Sequence, residues 1–167
     1  FEAVLDFGAR ERVEANLVTQ NTVIDFYCST GQFARAQAVF DSLAERGFTA
    51  DNYTFSILMK GIKHMKSPDV ETAERLFRQF TAQNAYVDVV IFNSMLDVFI
   101  SNAQAGKAAE VYEQLLGTPG IAPDQITFNT LIKGCCKHRD FDNAMKYFAE
   151  MKRHSLKPTR ITYNSLM

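Results

Sequence analysis

Small polar side chains recur along this sequence at a nearly constant interval. They are Asn21, Ser56, Asn93, Asn129 and Asn164, and the successive intervals are 35, 37, 36 and 35 residues. An asparagine amide carries both hydrogen-bond donors and an acceptor, so it can recognise a planar ligand edge that offers both. Asparagine is also a mediocre helix former, so its recurrence needs an explanation other than helix propensity.

Each of these residues lies within one repeated phrase. The clearest copy is residues 126–137, ITFNTLIKGCCK, and related copies begin at Val18, Tyr53 and Val90. A fifth copy begins at Ile161 and is incomplete. Self-similarity at this period is typical of a solenoid, in which each unit stacks only on its neighbours.

One repeat, residues 125–159, contains two amphipathic stripes at helical spacing. The first stripe is Phe128, Leu131, Ile132 and Cys135, and the second is Ala144, Tyr147, Phe148 and Met151. The other repeats carry the second stripe as Ala36, Phe40 and Leu43, as Ala73, Phe77 and Phe80, and as Ala108, Tyr112 and Leu115. A small residue followed by a large ring lets helices approach closely while the ring fills the gap. The sequence therefore predicts an all-α fold, an α-solenoid superhelix of helix-turn-helix repeats, with these stripes in the core.

The repeats define the predicted organisation of the chain. Residues 1–16 match the second half of a preceding repeat, full repeats occupy 17–51, 52–88, 89–124 and 125–159, and residues 160–167 start a further repeat. We predict helices at 19–29 and 33–46, 54–64 and 68–83, 90–102 and 106–116, and 127–138 and 141–154. They should form antiparallel pairs in a right-handed superhelix whose inner face is lined by the first helices. Asp140 and Ser67 are the predicted N-caps of two second helices, with Pro68 as the first helical residue after Ser67.

Composition and charge narrow the class of protein. The chain is 47% apolar and 22% charged with a net charge of −1, as expected for a folded soluble protein. Its apolar runs are far shorter than the roughly 20 residues of a membrane span, so we predict no membrane partner. Cys28, Cys135 and Cys136 lack C-x-x-C spacing, which favours packing roles in a reducing compartment. The sequence opens and closes within a repeat, so we expect a piece of a longer protein.

The phrase resembles the pentatricopeptide repeat. A typical unit of that family reads close to Val-Thr-Tyr-Asn-Thr-Leu-Ile-Asp-Gly-Tyr-Cys-Lys, and residues 125–159 match it nearly throughout. The tetratricopeptide pattern, with its tryptophan, fits less well because this chain has no Trp. The resemblance implies binding of single-stranded RNA with one base per repeat. It also implies that the fifth and last residues of each repeat contact the base edge, namely Asn21 with Asp51, Ser56 with Asp88, Asn93 with Asp124, and Asn129 with Thr159.

Further roles follow from the same resemblance. The second residue of each repeat, Val18, Tyr53, Val90 or Ile126, would wedge against the faces of adjacent bases. Lys137 would meet a phosphate, whereas Ser29, His64 and Ser101 occupy the equivalent place in the other repeats. By analogy with the family, the implied RNA tract is U-G-U-pyrimidine.

Two of these roles have alternatives that the sequence leaves open. The aromatic ring of Tyr53 is suited either to stack on a base or to fill the groove. The carboxylates of Asp51, Asp88 and Asp124 directly precede predicted helices, where aspartate is favoured as an N-cap whatever else it contacts.

Residues suited to catalysis do not converge in the sequence. His64, His138 and His154 lie on different repeats without ligand spacing, and the chain lacks the His-x-Glu and Cys-x-x-Cys motifs of a deaminase. We therefore predict no enzymatic activity, no metal site and no cofactor for this segment.

Two functions remain. The first is a single-stranded RNA-binding module that acts in RNA processing, stability or translation in mitochondria or plastids. The alternative is a structural segment of a large ribonucleoprotein, such as an organellar ribosome, that contacts rRNA and protein without reading sequence. Phosphate neutralisation usually supplies much of the affinity for nucleic acid, so with a net charge of −1 we expect weak RNA binding by this stretch alone. Either flanking repeats supply the affinity, or this stretch is a spacer or protein-contact segment.

Overall fold

The computed structural model describes residues 16–65, 69–83 and 87–167, and these residues form helices and turns without a β-strand. The predicted half repeat at residues 1–16 lies outside the described residues except for Asn16. Nine helices occupy the described ranges: α1 (Leu17–Ser29), α2 (Phe33–Asp41), α3 (Asn52–Lys63), α4 (Val70–Gln83), α5 (Val89–Ser101), α6 (Ala105–Gly117), α7 (Gln125–Lys137), α8 (Phe141–Arg153) and α9 (Arg160–Leu166). The predicted all-α fold is therefore confirmed over these residues.

Two compact units divide the chain after His64. In the first unit, α1 packs against both α2 and α3. In the second unit, α5 packs against α4, α6 and α7, and α7 in turn packs against α8 and α9. Within each unit, a first helix therefore contacts its own second helix and the first helix that follows in the sequence.

The predicted second-helix stripes form the core. The small residue of each stripe is buried, namely Ala36, Ala73, Ala108 and Ala144. The large residues that follow it are also buried, except Tyr147, which is half-buried. In the first helix α7, Phe128, Leu131 and Ile132 are buried and Cys135 is half-buried. Removing these apolar side chains from water supplies the main driving force for stacking the helices.

Close approach of neighbouring first helices depends on two glycines. A Cβ atom added to Gly61 would lie 2.5 Å from the Cys28 Sγ atom, and one added to Gly134 would overlap the Ile100 side chain. Such distances are below van der Waals contact, so a larger residue at either position would force the neighbouring side chain or its helix to shift. Cys28 is buried at this contact, as predicted for a packing residue, whereas Cys136 in the equivalent place is half-buried.

The end of α2 differs from the prediction. We predicted a helix over 33–46, but α2 ends at Asp41 and residues 42–47 form turns. The Ser42 hydroxyl donates to the Val39 carbonyl oxygen, and the following backbone bonds join residues three apart, from Leu43 N–H to Phe40 O and from Gly47 N–H to Ala44 O. The backbone therefore leaves the regular α-helical pattern after Asp41. The periodic apolar pattern did not reveal this helix end.

The other helix termini agree with the predictions to within about two residues. The first helices α1, α3 and α7 each begin two residues earlier than predicted, at Leu17, Asn52 and Gln125. Asp140 caps α8 as predicted, because its carboxylate accepts the Asn143 backbone N–H. The predicted cap Ser67 and the predicted first residue Pro68 lie outside the described residues; α4 begins at Val70.

A polar contact also joins consecutive second helices in the second unit. The Lys107 Nζ atom lies 2.6 Å from the Glu74 Oε2 atom, which links α6 to α4. This hydrogen bond is the main reason that the pKa of Glu74 lies below its ordinary value. Of the helices described, none combines the length and apolar character needed to cross a bilayer.

Candidate nucleic-acid interface

Three of the four predicted last residues cap the first helix that follows them through their carboxylates. The Asp51 Oδ1 atom accepts the Thr54 backbone N–H at 2.7 Å, and the Asp124 Oδ1 atom accepts the Thr127 backbone N–H at 2.8 Å. Asp88 accepts the backbone N–H groups of Val90 and Ile91. The predicted capping role of these aspartates is therefore confirmed.

The fourth last residue, Thr159, is the N-cap of α9 and is half-buried. Its backbone N–H donates to the Thr162 Oγ1 atom at 3.0 Å. The two hydroxyl oxygens of Thr159 and Thr162 lie 3.4 Å apart. This position therefore has no carboxylate to accept from Asn129, the asparagine of its own repeat.

Two of the predicted reading pairs are in contact. The Asn21 amide nitrogen donates to the Asp51 Oδ1 atom at 3.4 Å, and the Asn93 amide nitrogen donates to the Asp124 Oδ1 atom at 3.1 Å. The two residues of each pair are about 30 positions apart in sequence, so the stacking of consecutive first helices brings them together. The carboxylate thus contacts the amide in both pairs, and contact of these residues with a base stays a prediction.

The asparagines also have hydroxyl partners that the sequence analysis missed. The Thr54 Oγ1 atom donates to Asn21 Oδ1, the Thr127 Oγ1 atom to Asn93 Oδ1, and the Thr162 Oγ1 atom to Asn129 Oδ1, each at 2.7 Å. All three threonines are fully buried. Their recurrence was visible in the repeated phrase, where each threonine directly follows the predicted wedge residue.

The asparagine amides lie just below the surface. Asn21 is 3% exposed and Asn93 is 7% exposed, and Asn129 is half-buried. An amide offers two N–H donors and two lone pairs, and the contacts above use one of each in Asn21 and Asn93. A ligand can therefore meet these two amides only through the remaining donor and acceptor, along the small part of the side chain that is exposed.

The remaining predicted pair divides between the two units. Ser56 is half-buried in α3 of the first unit, and its hydroxyl donates to the Asn52 carbonyl oxygen at 2.9 Å. Asp88 caps α5 in the second unit. The pairing of Ser56 with Asp88 stays a prediction.

The four predicted wedge residues are exposed apolar side chains. Val18, Tyr53, Val90 and Ile126, together with Ile161 at the equivalent place in α9, are between 46% and 71% exposed. We refer to these five as the wedge residues. Each precedes the small polar residue of its repeat by three positions, so the two side chains lie on the same side of a helix. A single exposed apolar residue is ordinary on a protein surface, but recurrence at the same position in five helices is not.

Of the four residues at the predicted phosphate position, one is a lysine. Lys137 is exposed at the end of α7, while Ser29 and His64 are exposed and Ser101 is half-buried at the equivalent helix ends. The His64 Nδ1 atom lies 2.7 Å from the Lys60 carbonyl oxygen. The Lys60 ammonium group lies 3.8 Å from Asp25, which offsets its charge.

Comparison with known proteins identifies the repeats. The PPR repeat family matches residues 15–64, 87–137 and 123–167. The chain belongs to this family. It is 25% identical over 164 residues to the chloroplastic pentatricopeptide repeat-containing protein At3g09650 of Arabidopsis thaliana, covering 98% of this chain and 21% of the relative. It is 22% identical to a mitochondrial one, At3g02330, covering 93% of this chain and 16% of the relative.

Solved PPR structures share this fold. The crystal structure of PPR10 from maize superposes with a TM-score of 0.81 at 26% identity, over 99% of this chain and 23% of PPR10. PPR10 in complex with an 18-nucleotide psaJ RNA element gives the same TM-score at 25% identity. The predicted α-solenoid of helix-turn-helix repeats is therefore confirmed, and this PPR chain spans less than a quarter of each of these proteins.

Burial raises the pKa of all three cysteine thiols of this PPR chain. Burial raises the pKa of the Cys28 thiol to about 12 and that of the Cys135 thiol to about 11. Burial also raises the pKa of Cys136, which is more exposed. Over the described ranges, no three His, Cys, Asp or Glu side chains are grouped closely enough to hold a metal ion.

Proposed function

We propose that this PPR chain is a single-stranded RNA-binding module that takes one base per repeat. The observation that carries the proposal is the recurrence of an exposed wedge residue three positions before an asparagine whose side-chain amide is hydrogen-bonded to a buried threonine. This combination occurs in α1, α5 and α7 with Val18, Val90 and Ile126 as the wedge residues. An apolar surface against the base face and an amide at the base edge together suit an unpaired nucleotide.

The reading chemistry follows from the amide partners. The Asn93 amide has one N–H bonded to Asp124 and its oxygen bonded to Thr127, so one donor and one acceptor remain for a ligand. Uracil presents a donor at N3 and acceptors at its carbonyl oxygens, which matches such an amide. We propose uracil for the repeats of Asn21 and Asn93, and by family analogy guanine for Ser56 and a pyrimidine for Asn129.

The wider role is part of the same proposal. PPR10, a structural neighbour at 25% identity, is seen in complex with an RNA element. The relatives described above include chloroplastic and mitochondrial proteins. We propose that the protein containing this chain acts in a mitochondrion or plastid, in RNA processing, stability or translation, and that this segment binds RNA and leaves catalysis to other proteins or domains.

The test removes one wedge residue and compares it with a matched surface residue. Ile126→Ser should weaken binding of an oligonucleotide containing UGUU by roughly fivefold, because about 1 kcal/mol of apolar contact with a base is lost. Leu116→Ser is the control, since Leu116 is a similarly sized, 43% exposed side chain on the second helix α6. Fluorescence anisotropy at low ionic strength measures both. Equal behaviour of the two variants would contradict the proposal.

A second function is favoured by the charge of the chain. With a net charge of −1 and Lys60 close to Asp25, few cations are available to phosphates. This favours a structural segment of a ribonucleoprotein, such as an organellar ribosome, that packs on rRNA and protein without reading sequence. If the chain binds UGUU and scrambled oligonucleotides equally, and Ile126→Ser weakens neither complex, the results favour the structural function over RNA reading.

A further inference from the structure

We propose that Thr54, Thr127 and Thr162 are positioning residues. Each fixes the orientation of one asparagine amide, so that its oxygen and nitrogen face a base in a defined order. Each lies in the first helix of one repeat and bonds the asparagine of the preceding repeat, 33 or 34 residues earlier. This proposal rests on the proposed function, because it assigns these three hydroxyls a part in base selection. In this way, the first helix of the next repeat would contribute one residue to each reading site.

The direction of each hydrogen bond follows from what the hydroxyl already accepts. The Asp51 backbone N–H donates to Thr54 Oγ1 at 3.2 Å, and the Asp124 backbone N–H donates to Thr127 Oγ1 at 3.1 Å. The hydroxyl proton is then the group that remains to be donated, and the asparagine oxygen lies 2.7 Å away in both cases. The same hydroxyl oxygens lie 2.7 Å from Asp51 Oδ1 and 3.0 Å from Asp124 Oδ1, but each of these carboxylate oxygens already accepts two N–H groups, the backbone N–H of the threonine and the amide N–H of the asparagine.

The carboxylate and the hydroxyl together determine the amide orientation. An ionised carboxylate only accepts hydrogen bonds, so it must face the amide nitrogen of Asn21 or Asn93. The donating hydroxyl must then face the amide oxygen. A flipped amide would place its oxygen against the carboxylate, which has no proton to donate, and the hydroxyl would have to turn its proton away and accept the amide N–H instead. The orientation of the amide thus follows from which of its partners can donate a hydrogen bond and which can only accept one.

A fixed amide distinguishes uracil from cytosine. Uracil has a donor at N3 beside an acceptor at O4, whereas cytosine has an acceptor at N3 beside a donor at N4. Exchanging the amide oxygen and nitrogen would convert a match for one base into a match for the other. A hydroxyl that prevents the exchange therefore contributes to selectivity without touching the base.

The repeats differ in how many groups hold the amide. Asn93 has both Asp124 and Thr127, whereas Asn129 has Thr162 and, in place of a carboxylate, Thr159. The orientation of Asn129 therefore depends more on its threonine. Where Ser56 takes the place of asparagine, the threonine position of the following repeat is Ile91, which is fully buried and has no hydroxyl. A serine reader has no amide to orient, so the absence of this hydroxyl is consistent with the proposed role.

Helix capping alone does not require the contact with asparagine. Thr19 occupies the same position in α1 and its hydroxyl lies 3.1 Å from the Oδ1 atom of its own N-cap, Asn16. Thr19 is exposed, whereas Thr54, Thr127 and Thr162 are buried against the asparagines. Thr19→Val is therefore the matched control for loss of a capping hydroxyl.

The first measurement needs no RNA. Side-chain amide signals of Asn93 in Thr127→Val, and of Asn129 in Thr162→Val, are compared with those of the unmodified chain by ¹H–¹⁵N NMR. We expect both to move toward the values of a solvent-exposed amide, with the larger change at Asn129. Thr127→Ser, which keeps the hydroxyl, should restore the Asn93 signal, and Thr19→Val should leave both signals in place. Unchanged amide signals in the two valine variants would overturn the proposal.

The second measurement is the ratio of affinities for oligonucleotides with U or C at the nucleotide of Asn93. Thr127→Val should lower this ratio by roughly three- to tenfold, the worth of one net hydrogen bond, while Thr127→Ser and Thr19→Val preserve it. A ratio unchanged in Thr127→Val would overturn the selectivity role even if the amide signal moves. If the unmodified chain binds no RNA, the proposed function fails, and the amide signals still decide whether the threonines hold the asparagines.

Discussion

Asn93 illustrates how much of a site one residue's sequence context can reveal. Its repeat position and the aspartate 31 residues later were recognisable from the repeated phrase, and the structure joins them by a 3.1 Å hydrogen bond. Thr127 was equally visible in the phrase, but a threonine three residues after an aspartate is fully explained as part of a capping box. Its second partner lies 34 residues earlier, and only the stacking of helices brings the two side chains together.

The cysteines show the same limit at the residue scale. Their spacing excluded a zinc motif, and the repeat register placed Cys28 and Cys136 in equivalent positions. Burial separates them, because Cys28 lies against Gly61 whereas Cys136 is half-buried. Equivalent positions therefore differ in burial according to the side chains of the neighbouring helix, which the repeat pattern does not determine.

Thiol reactivity provides a test at this scale. At pH 8 iodoacetamide should alkylate Cys136 first and Cys28 last, because a thiol whose pKa is raised to about 12 holds very little reactive thiolate. A rise of three pKa units lowers the thiolate fraction by roughly a thousandfold. Peptide mass spectrometry over time measures each site. In urea the three rates should become similar, and fast native labelling of Cys28 would show that its helix contact opens readily.

At the scale of elements, the apolar period predicted the helices well and their ends less well. The stripe of α2 continues to Leu43, which is buried, so the pattern had no signal that the helix stops at Asp41. Leu43 reaches the core from a turn that is closed by the hydrogen bond from Ser42 to Val39. Burial and helical conformation are separate properties, and hydrophobic periodicity reports the first more directly than the second.

Packing of the second helices can be tested at Phe148. Its ring is buried in α8, contacts Tyr163 of α9 edge-on at 5.9 Å between centroids, and lies 4.2 Å from the Lys152 Nζ atom. Phe148→Ala should lower the free energy of unfolding by about 3 to 5 kcal/mol, because it leaves a cavity in addition to losing apolar burial. Urea denaturation measures the loss.

The position of the damage is as informative as its size. Solenoid repeats interact with their neighbours, so hydrogen exchange should accelerate in α7, α8 and α9 and stay slow in α1. Phe141→Ala in the same helix is the control, since Phe141 is 57% exposed and should cost little. Equal acceleration of exchange in every helix after Phe148→Ala would show that the chain unfolds as a single cooperative unit.

At the scale of the whole chain, the repeat period was sufficient to predict a solenoid of helix pairs. Five copies of one phrase specify a helix pair that recurs, and the TM-score of 0.81 with PPR10 agrees with that solenoid. The balance of charge was also available from the sequence, but its distribution was not. The structure shows that Lys60 lies near Asp25, so the number of free cations is smaller than a count of lysines suggests.

The RNA affinity of the whole chain should depend on salt concentration through Lys137. Lys137 is exposed at the end of the first helix α7, and Lys137→Ala should weaken binding of every RNA sequence alike. Each phosphate contact with a single strand contributes about 0.7 to the slope of log affinity against log salt, so the slope should fall by about that amount. Lys146→Ala, which removes an exposed charge from the second helix α8, should leave the slope unchanged.

Asn93→Ser should have the opposite signature to Lys137→Ala. It should change the preferred base at one nucleotide and leave the salt slope nearly as it was, because a base-edge hydrogen bond carries sequence information and releases no counterions. Anisotropy titrations at several salt concentrations, with one nucleotide varied at a time, separate the two effects. If both variants keep their helical circular dichroism and neither changes RNA affinity, then this face does not bind RNA, and packing within a ribonucleoprotein becomes the function to test.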